Sequence, residues 1–309
     1  MMAISTPQRA AEAAQVQLQS PPSRTRKERG FQGVLFLATV VAVIVLAVLL
    51  VDVLLDGSGR LLGGEGGFPQ VLASYRSRFP DRTGYLAGLT GTLSLMVLVA
   101  AISFPLGVGA ALYLEEFAPR NRATRLLEAN IANLAGVPSV VYGLLGAGVF
   151  VAVLGFGRSL ISGALTLTLL ILPVIIVAGR EALRSVPRAI RDGGLALGAT
   201  PLQVAFRQTL PAALPGILTG TILALSRAIG ETAPLLVVGA AGVLRTASVP
   251  WRPGEQYTAL PVEIYRYVSF PQDEFRVAVA SAGILVLLAV LLVMNSAAIL
   301  LRNKYSRSW

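Results

Sequence analysis

The chain alternates long apolar stretches with short polar ones, and each apolar stretch is about as long as a bilayer is thick. Residues 1–33 are polar and of low complexity, closing on Arg24, Arg26, Lys27, Glu28 and Arg29. Scarce apolar anchors and clustered charge predict a disordered tail there. The run 34–51 carries no charge and continues through Asp52 to Leu55. About 20 residues at ~1.5 Å rise make ~30 Å of helix, enough to cross a hydrocarbon core. The run is longer than the apolar core of a secretory signal and lacks a small-residue cleavage site, so 34–55 is predicted to be an uncleaved transmembrane helix. Charge-free runs recur at 83–114, 129–157, 159–179, 208–226 and 277–301. Each predicts one span, giving an all-α membrane protein of six transmembrane helices. The segment 56–82 is then a loop, 83–303 a core of five spans interrupted by a polar loop over 180–211, and 304–309 a short tail. The run from Thr83 is too long for one straight span, and Gly84, Gly88, Pro105, Gly107 and Gly109 predict a preliminary segment or a kink.

Composition agrees with this pattern: 54% of the 309 residues are apolar and only 14% are charged, with a mean hydropathy of +0.70. A soluble domain carries roughly a quarter of its residues as charges. The few charges are unevenly placed. The tail 1–33, the loops 115–128 and 180–207, and the C-terminal end from Arg302 together hold 16 basic and 7 acidic residues, whereas the three opposite loops hold 9 and 8. By the positive-inside rule the first set faces the cytoplasm, which puts both termini inside and makes 56–82 an external loop. The net charge of +10 is therefore mostly topology, and without basic patches interleaved with aromatics no nucleic-acid partner is expected.

Residue types also remove whole chemistries. There is no His and no Cys, so a Ser-His triad, a thiolate nucleophile and ordinary zinc or haem sites are excluded, and no metal or cofactor is expected. The only lysines, Lys27 and Lys304, precede Glu28 and Tyr305, so the chain has no Walker phosphate loop of its own. Glu115, Glu116 and Glu128 read as solvated loop carboxylates. Gly63, Gly64, Gly66 and Gly67 read as a flexible external turn, and Gly216 with Gly220 as a small-residue helix contact. Whether 237–243 completes a span, re-enters the membrane or lies outside stays open.

Two constellations carry candidate function. In the polar loop, Ser185 with Pro187 can open one helix, and Thr200 followed by Pro201 is a cap and first-turn signal for another. Between them Gly193-Gly194-Leu195-Ala196-Leu197-Gly198-Ala199 is small and apolar where an exposed loop should be polar. It suits either a helix resting on lipid headgroups or a surface that another protein approaches closely. The second constellation is Arg227 and Glu231, four residues apart in an apolar stretch and able to pair on one helix face. A charge in hydrocarbon costs ~2.5 kcal/mol or more, so such a pair is either a packing salt bridge or part of a wet pathway.

Asp192-Gly193-Gly194, three residues, Gly198, nine residues, then Gln208-Thr209-Leu210-Pro211 resembles the cytoplasmic signature of binding-protein-dependent ABC permeases, Glu-Ala-Ala, x3, Gly, x9, Ile, x, Leu-Pro. Asp192 stands for Glu, two glycines stand for alanines, and Gln208 stands for Ile. The resemblance implies a type I importer permease whose coupling helix, with Asp192, Gly193, Gly194, Gly198, Leu210 and Pro211, meets an ATPase subunit. Gly230-Glu231-Thr232-Ala233-Pro234-Leu235-Leu236 is similar to the fifth span of the A-type permease of bacterial phosphate importers. Gly136-Val137-Pro138-Ser139-Val140-Val141-Tyr142-Gly143 and Leu260-Pro261-Val262-Glu263-Ile264-Tyr265 agree with it. The likeness covers about 34–303. It implies a bacterial cytoplasmic-membrane subunit that imports inorganic phosphate, with Arg227 and Glu231 on the translocation pathway. It further implies a homologous second permease, a dimer of ATPase subunits and an external phosphate-binding protein as partners, with ATP hydrolysis on the separate chains. Another oxyanion, sulfate or molybdate, could use the same Arg227. A membrane enzyme of phosphate-ester chemistry would have to work with carboxylates alone.

Charge asymmetry makes the orientation testable. Single cysteines at Ser74 and Gln256 should react with an impermeant thiol reagent in intact cells, while one at Ala189 should not. Labelling at 189 alone would reverse the orientation.

Overall fold

The computed structural model describes residues 22–63, 67–240, 244 and 246–305. Among these residues there is no strand. The helices are α1 (Pro22–Gly63), α2 (Gly67–Ala73), α3 (Leu86–Phe117), α4 (Arg122–Leu134), α5 (Ser139–Val153), α6 (Leu160–Arg184), α7 (Arg188–Ala196), α8 (Pro201–Ile229), α9 (Ala233–Val238), α10 (Leu260–Val268) and α11 (Phe275–Lys304). Five of them, α1, α3, α6, α8 and α11, are long and apolar enough to cross a membrane, and α4 with α5 makes a sixth candidate as a bent pair.

That bent pair departs from the continuous span predicted over 129–157. The chain turns by 103° between α4 and α5, where Gly136 and Pro138 interrupt the apolar run. Proline lacks the N–H that a helix needs and forces the preceding residue out of the helical region. With no buried residue, α4 is a surface helix that takes in Arg122, Arg125 and Glu128, residues predicted to form a loop.

The chain divides after Val53 into two units. In the first, α1 starts at Pro22 rather than at 34, because the Arg and Lys residues before the apolar run are good helix formers and nothing after Pro22 breaks the turn. Most of its large apolar side chains there are exposed, with Val40 and Val53 half-buried. Residues 1–21, the greater part of the predicted disordered tail, lie outside the described residues, as do Gly64, Gly66 and 306–309. In the second unit the helix continues to Gly63 and α2 follows, so much of 56–82 is helical rather than loop. Arg60 donates to the Thr83 carbonyl at 2.6 Å, which ties the end of α1 to the start of α3.

The centre of the second unit is α6, packed between α3 and α8. Small residues set the spacing. A methyl group added at Gly179 would lie 2.9 Å from Ala111 Cβ on α3, and one at Gly216 would lie 2.8 Å from Ala182 Cβ on α6. Gly220 abuts Ala178 in the same way, so Gly216 and Gly220 form the helix contact predicted for them. Around this seam Leu95, Val99, Leu167, Ile171, Ile175 and Ala228 are fully buried. A second apolar cluster around Tyr85, Tyr267 and Phe275 closes one end, and a third around Leu112, Leu183, Ala213 and Ile217 closes the end nearest α7.

The segment between α9 and α10 folds inward. The Leu160 and Ile161 amides at the start of α6 donate to the carbonyls of Glu255 and Pro253 at 2.9 and 2.8 Å, so this segment satisfies helix donors that would otherwise be orphaned. Tyr257 and Thr258 are almost wholly buried. Ser94 donates to the Ser248 carbonyl at 2.8 Å, and the Leu260 amide donates to Thr92 Oγ1 at 2.9 Å. Within the stretch left open over 237–243, α9 ends at Val238 on Gly239, whose φ of 96° favours glycine. Residues 241–243 are not among the described ones.

Candidate functional site

At one end of the bundle the loop predicted over 180–211 is nearly all helix. Helix α6 runs to Arg184, α7 follows Pro187, and a turn leads into α8. Thr200 forms a full capping box with Gln203: the Gln203 amide donates to Thr200 Oγ1 at 3.3 Å and the Thr200 amide donates to Gln203 Oε1 at 2.9 Å. Helix α7 closes on Gly198, whose φ is 84° and whose amide donates to the Leu195 carbonyl at 2.9 Å. This is a left-handed cap, and an L side chain there would cost about 1 kcal/mol or more. A side chain at Gly193 or Gly198 would meet open space. Asp192 is exposed, and Leu197, at 89% exposure, is an apolar residue held out from the bundle.

Gly194 is the one buried residue of α7, and a methyl group on it would run into the Gln208 side-chain amide. Two departures from the permease signature, Gly for Ala and Gln for Ile, are therefore in contact: the missing methyl makes room for the longer side chain. Gln208 sits in a wide turn of π type, Ala205–Thr209. This turn absorbs the clash that Pro211 would otherwise make with the carbonyl four residues back. Leu210 packs into the apolar cluster at this end, while Pro211 is exposed.

Ion pairs fix α7 to the rest of the bundle. Arg191 donates to Glu116 Oε1 at 2.8 Å and to the Leu183 carbonyl at 2.8 Å. Arg180 donates to Glu128 at 2.7 Å, and Arg184 to Glu115 at 2.9 Å. Glu115, Glu116 and Glu128, read from sequence as solvated loop carboxylates, thus join the wide turn ending α3, and α4, to α6 and α7. The sequence held no local signal of this, because the partners lie 52 to 75 residues apart.

The second predicted pair also forms. Arg227 Nε lies 3.2 Å from Glu231 Oε1. Arg227 occupies the last turn of α8, and Glu231 lies just past the helix end, before Ala233 and Pro234 open α9. The arginine side chain is 49% exposed and the glutamate 15%. A cation at a helix C-terminus is favoured by the backbone dipoles, and the guanidinium keeps an open side. A charge that sequence reading passed over is Glu263 in α10. It is 3% exposed and tucked against Gly88; burial pushes its carboxyl up to about 7 against the pull of Arg76 and Arg266.

Residues 103–305 match the family described as binding-protein-dependent transport system inner membrane component. The chain belongs to that family. It is 32% identical over 243 residues to the probable ABC transporter permease protein YqgI of Bacillus subtilis, covering 74% of this chain and 81% of that one. It is 36% identical over 231 residues to the phosphate transport system permease protein PstA 1 of Mycobacterium tuberculosis, covering 74% and 73%. Among solved structures, a chain of the bacterial alginate ABC transporter in complex with an alginate pentasaccharide-bound periplasmic protein superposes with a TM-score of 0.63 at 14% identity, covering 90% of this chain and 96% of that one. A chain of the inward-facing MetNI methionine ABC transporter superposes at 0.59 and 19%, covering 72% and 96%. At such identities the likeness is one of fold. The chain is an ABC importer permease of type I fold, a transport subunit rather than an enzyme, and ATP hydrolysis in such systems belongs to a separate subunit.

Within the permease, contact between Gly194 and Gln208 predicts a coupled pair. Gly194→Ala should gain about 1 kcal/mol of helix stability when made together with Gln208→Ala, and distinctly less when made alone. Thermal unfolding of the purified complex reads the difference. Equal gains in both backgrounds would show that the two residues do not constrain each other.

Proposed function

We propose that this permease imports inorganic phosphate across a bacterial cytoplasmic membrane, with α7 and both termini on the cytoplasmic side. Its partners are a homologous second permease, a dimer of ATPase subunits at α7, and an external phosphate-binding protein. The observation that carries the reading is the Arg227–Glu231 pair. A guanidinium stays charged at physiological pH and offers planar paired donors that match phosphate oxygens. Glu231 holds Arg227 and offsets part of its charge, so an anion can be held and then released, as conduction requires. About half of the Arg227 side chain is left exposed, and on this reading a second permease completes the path beside it. Names of relatives such as PstA 1 support phosphate over sulfate or molybdate, which the same guanidinium could serve.

On this reading Arg227→Gln abolishes phosphate uptake while the complex still assembles and still hydrolyses ATP. If the pair served packing alone, removing one partner would destabilise the subunit by up to ~3–5 kcal/mol, less for a half-exposed arginine, and Arg227→Gln with Glu231→Gln would restore both assembly and uptake. Uptake in membrane vesicles and subunit abundance separate the two, and a double variant transporting at the wild-type rate would sink the pathway role.

Coupling through α7 has its own test. Asp192, Gly193 and Gly198 lie exposed on α7 and its cap, the surface we assign to the ATPase. Gly198→Gln places a side chain on that surface at a conformational cost of only about 1 kcal/mol. It should lose ATPase association and transport with little change in subunit abundance; normal uptake would show that the ATPase docks elsewhere.

A further inference from the structure

Five of the eleven buried side-chain polar atoms without a hydrogen-bond partner among the described residues lie in one short piece of chain, the inward-folded segment and α10: Ser248 Oγ, Tyr257 OH, Thr258 Oγ1, Glu263 Oε2 and Tyr267 OH. A buried polar group left unsatisfied costs free energy, so this piece is the part of the second unit whose burial is most strongly opposed. Its seat is one face of α3. Gly88 and Gly91, one turn apart, present no side chain there: a methyl group on Gly88 would lie 2.5 Å from Glu263 Oε2, and one on Gly91 would run into the Thr258 carbonyl and lie 3.6 Å from Ser248 Oγ. Glu263 is 3% exposed. The charged and titratable groups around it are Arg266 and Tyr267 on α10, Tyr85 at the start of α3, Arg76, and Arg60 beyond the two tyrosines. Arg76 stacks over the rings of Tyr267 and Phe270, and the charges that open α11, on Asp273, Glu274 and Arg276, are exposed. Arg266, one turn beyond Glu263, donates to the Ala240 carbonyl at 2.9 Å, directly after the glycine that closes α9. Movement of α10 is thereby passed to α9, which begins just after Glu231 and Thr232.

We propose that the piece 246–267 is a plug that lifts from α3, and that Glu263 is its proton-binding group: the carboxyl holds a proton while the plug is seated and gives it up to solvent when the plug lifts. Protons therefore hold this end of the permease shut. The sign follows from the two environments. Seated, Glu263 keeps its proton up to about pH 7, because burial outweighs the pull of Arg76 and Arg266. Solvated, it returns to the ordinary value of 4.5. The lifted form is thus favoured as pH rises through this window, by roughly tenfold per unit where the seated form alone is protonated. That this end is the outer one rests on the orientation proposed above, whereas the linkage does not depend on which ion is carried.

The chain has no cysteine, so Ser248→Cys, at a position 4% exposed, reports lifting by its rate of reaction with a thiol alkylator. The measurement uses the assembled complex in nanodiscs without phosphate or nucleotide, with the permease read by mass, so its outcome is independent of the ion transported. Dividing each rate by that of Gln256→Cys, an exposed position on the same segment, removes the pH dependence of the thiol itself. The ratio should rise about tenfold from about pH 6 to about pH 8. Glu263→Gln, which cannot ionise, should abolish the rise. Arg76→Gln, which removes the strongest pull on the ionised carboxyl, should move the rise to higher pH, and it decides the matter even where Glu263→Gln does not assemble. A ratio that stays flat with Glu263 in place would overturn the proposal. So would an equal rise with Glu263→Gln, which would give the proton to another group, or a rise that Arg76→Gln leaves where it was.

Discussion

Lipid tails are as apolar as leucine, so helices in a bilayer gain little by burying apolar surface against one another and depend instead on close contact. In this permease that contact is the seam of α6 with α3 and α8. It exists because Gly107, Gly179, Gly216 and Gly220 let the backbones approach where alanine or isoleucine fills the other side. Many weak dispersion contacts then add up along the seam. Both candidate sites hang from it: α8 carries Arg227 at its end, and α6 leads directly into α7.

The seam makes α6 a strut with a fastening at each end. At its start the amides of Leu160 and Ile161 are held by the inward-folded segment at Glu255 and Pro253. At its finish Arg180 and Arg184 are paired with Glu115 and Glu128. The wide turns at Tyr113–Phe117 and Ala205–Thr209 sit where α3 and α8 leave the bundle, and such turns mark places where a helix can change register at low cost. A displacement of α7 therefore has a direct mechanical route into α6, and through Arg191 and Glu116 into α3.

Much of this was legible in the sequence. The apolar runs gave the order of the spans, Thr200 and Pro201 announced the start of α8, and the four-residue spacing of Arg227 and Glu231 predicted their pair. What went wrong did so for local reasons. The run over 129–157 looked continuous because hydropathy does not register direction, although Pro138 was there to break it. Glu115, Glu116 and Glu128 looked solvated because their arginines are distant in sequence. Glu263 gave no sign that it would be buried, since a lone charge between Val262 and Ile264 reads as one polar face of a helix.

The sequence by itself determined the class of the protein, because a bilayer imposes length and polarity on each segment separately, and that constraint is written residue by residue. It also carried the spacing of the permease signature from Asp192 to Pro211, which is read residue by residue along the chain. Tertiary structure decided which departures from that signature compensate one another, as Gly194 does for Gln208. It also decided which charges are spent in pairs, as Arg191 is with Glu116 and Arg180 with Glu128. Those outcomes depend on which surfaces meet, and packing between helices is set by shape and charge across chain separations that no window of sequence contains.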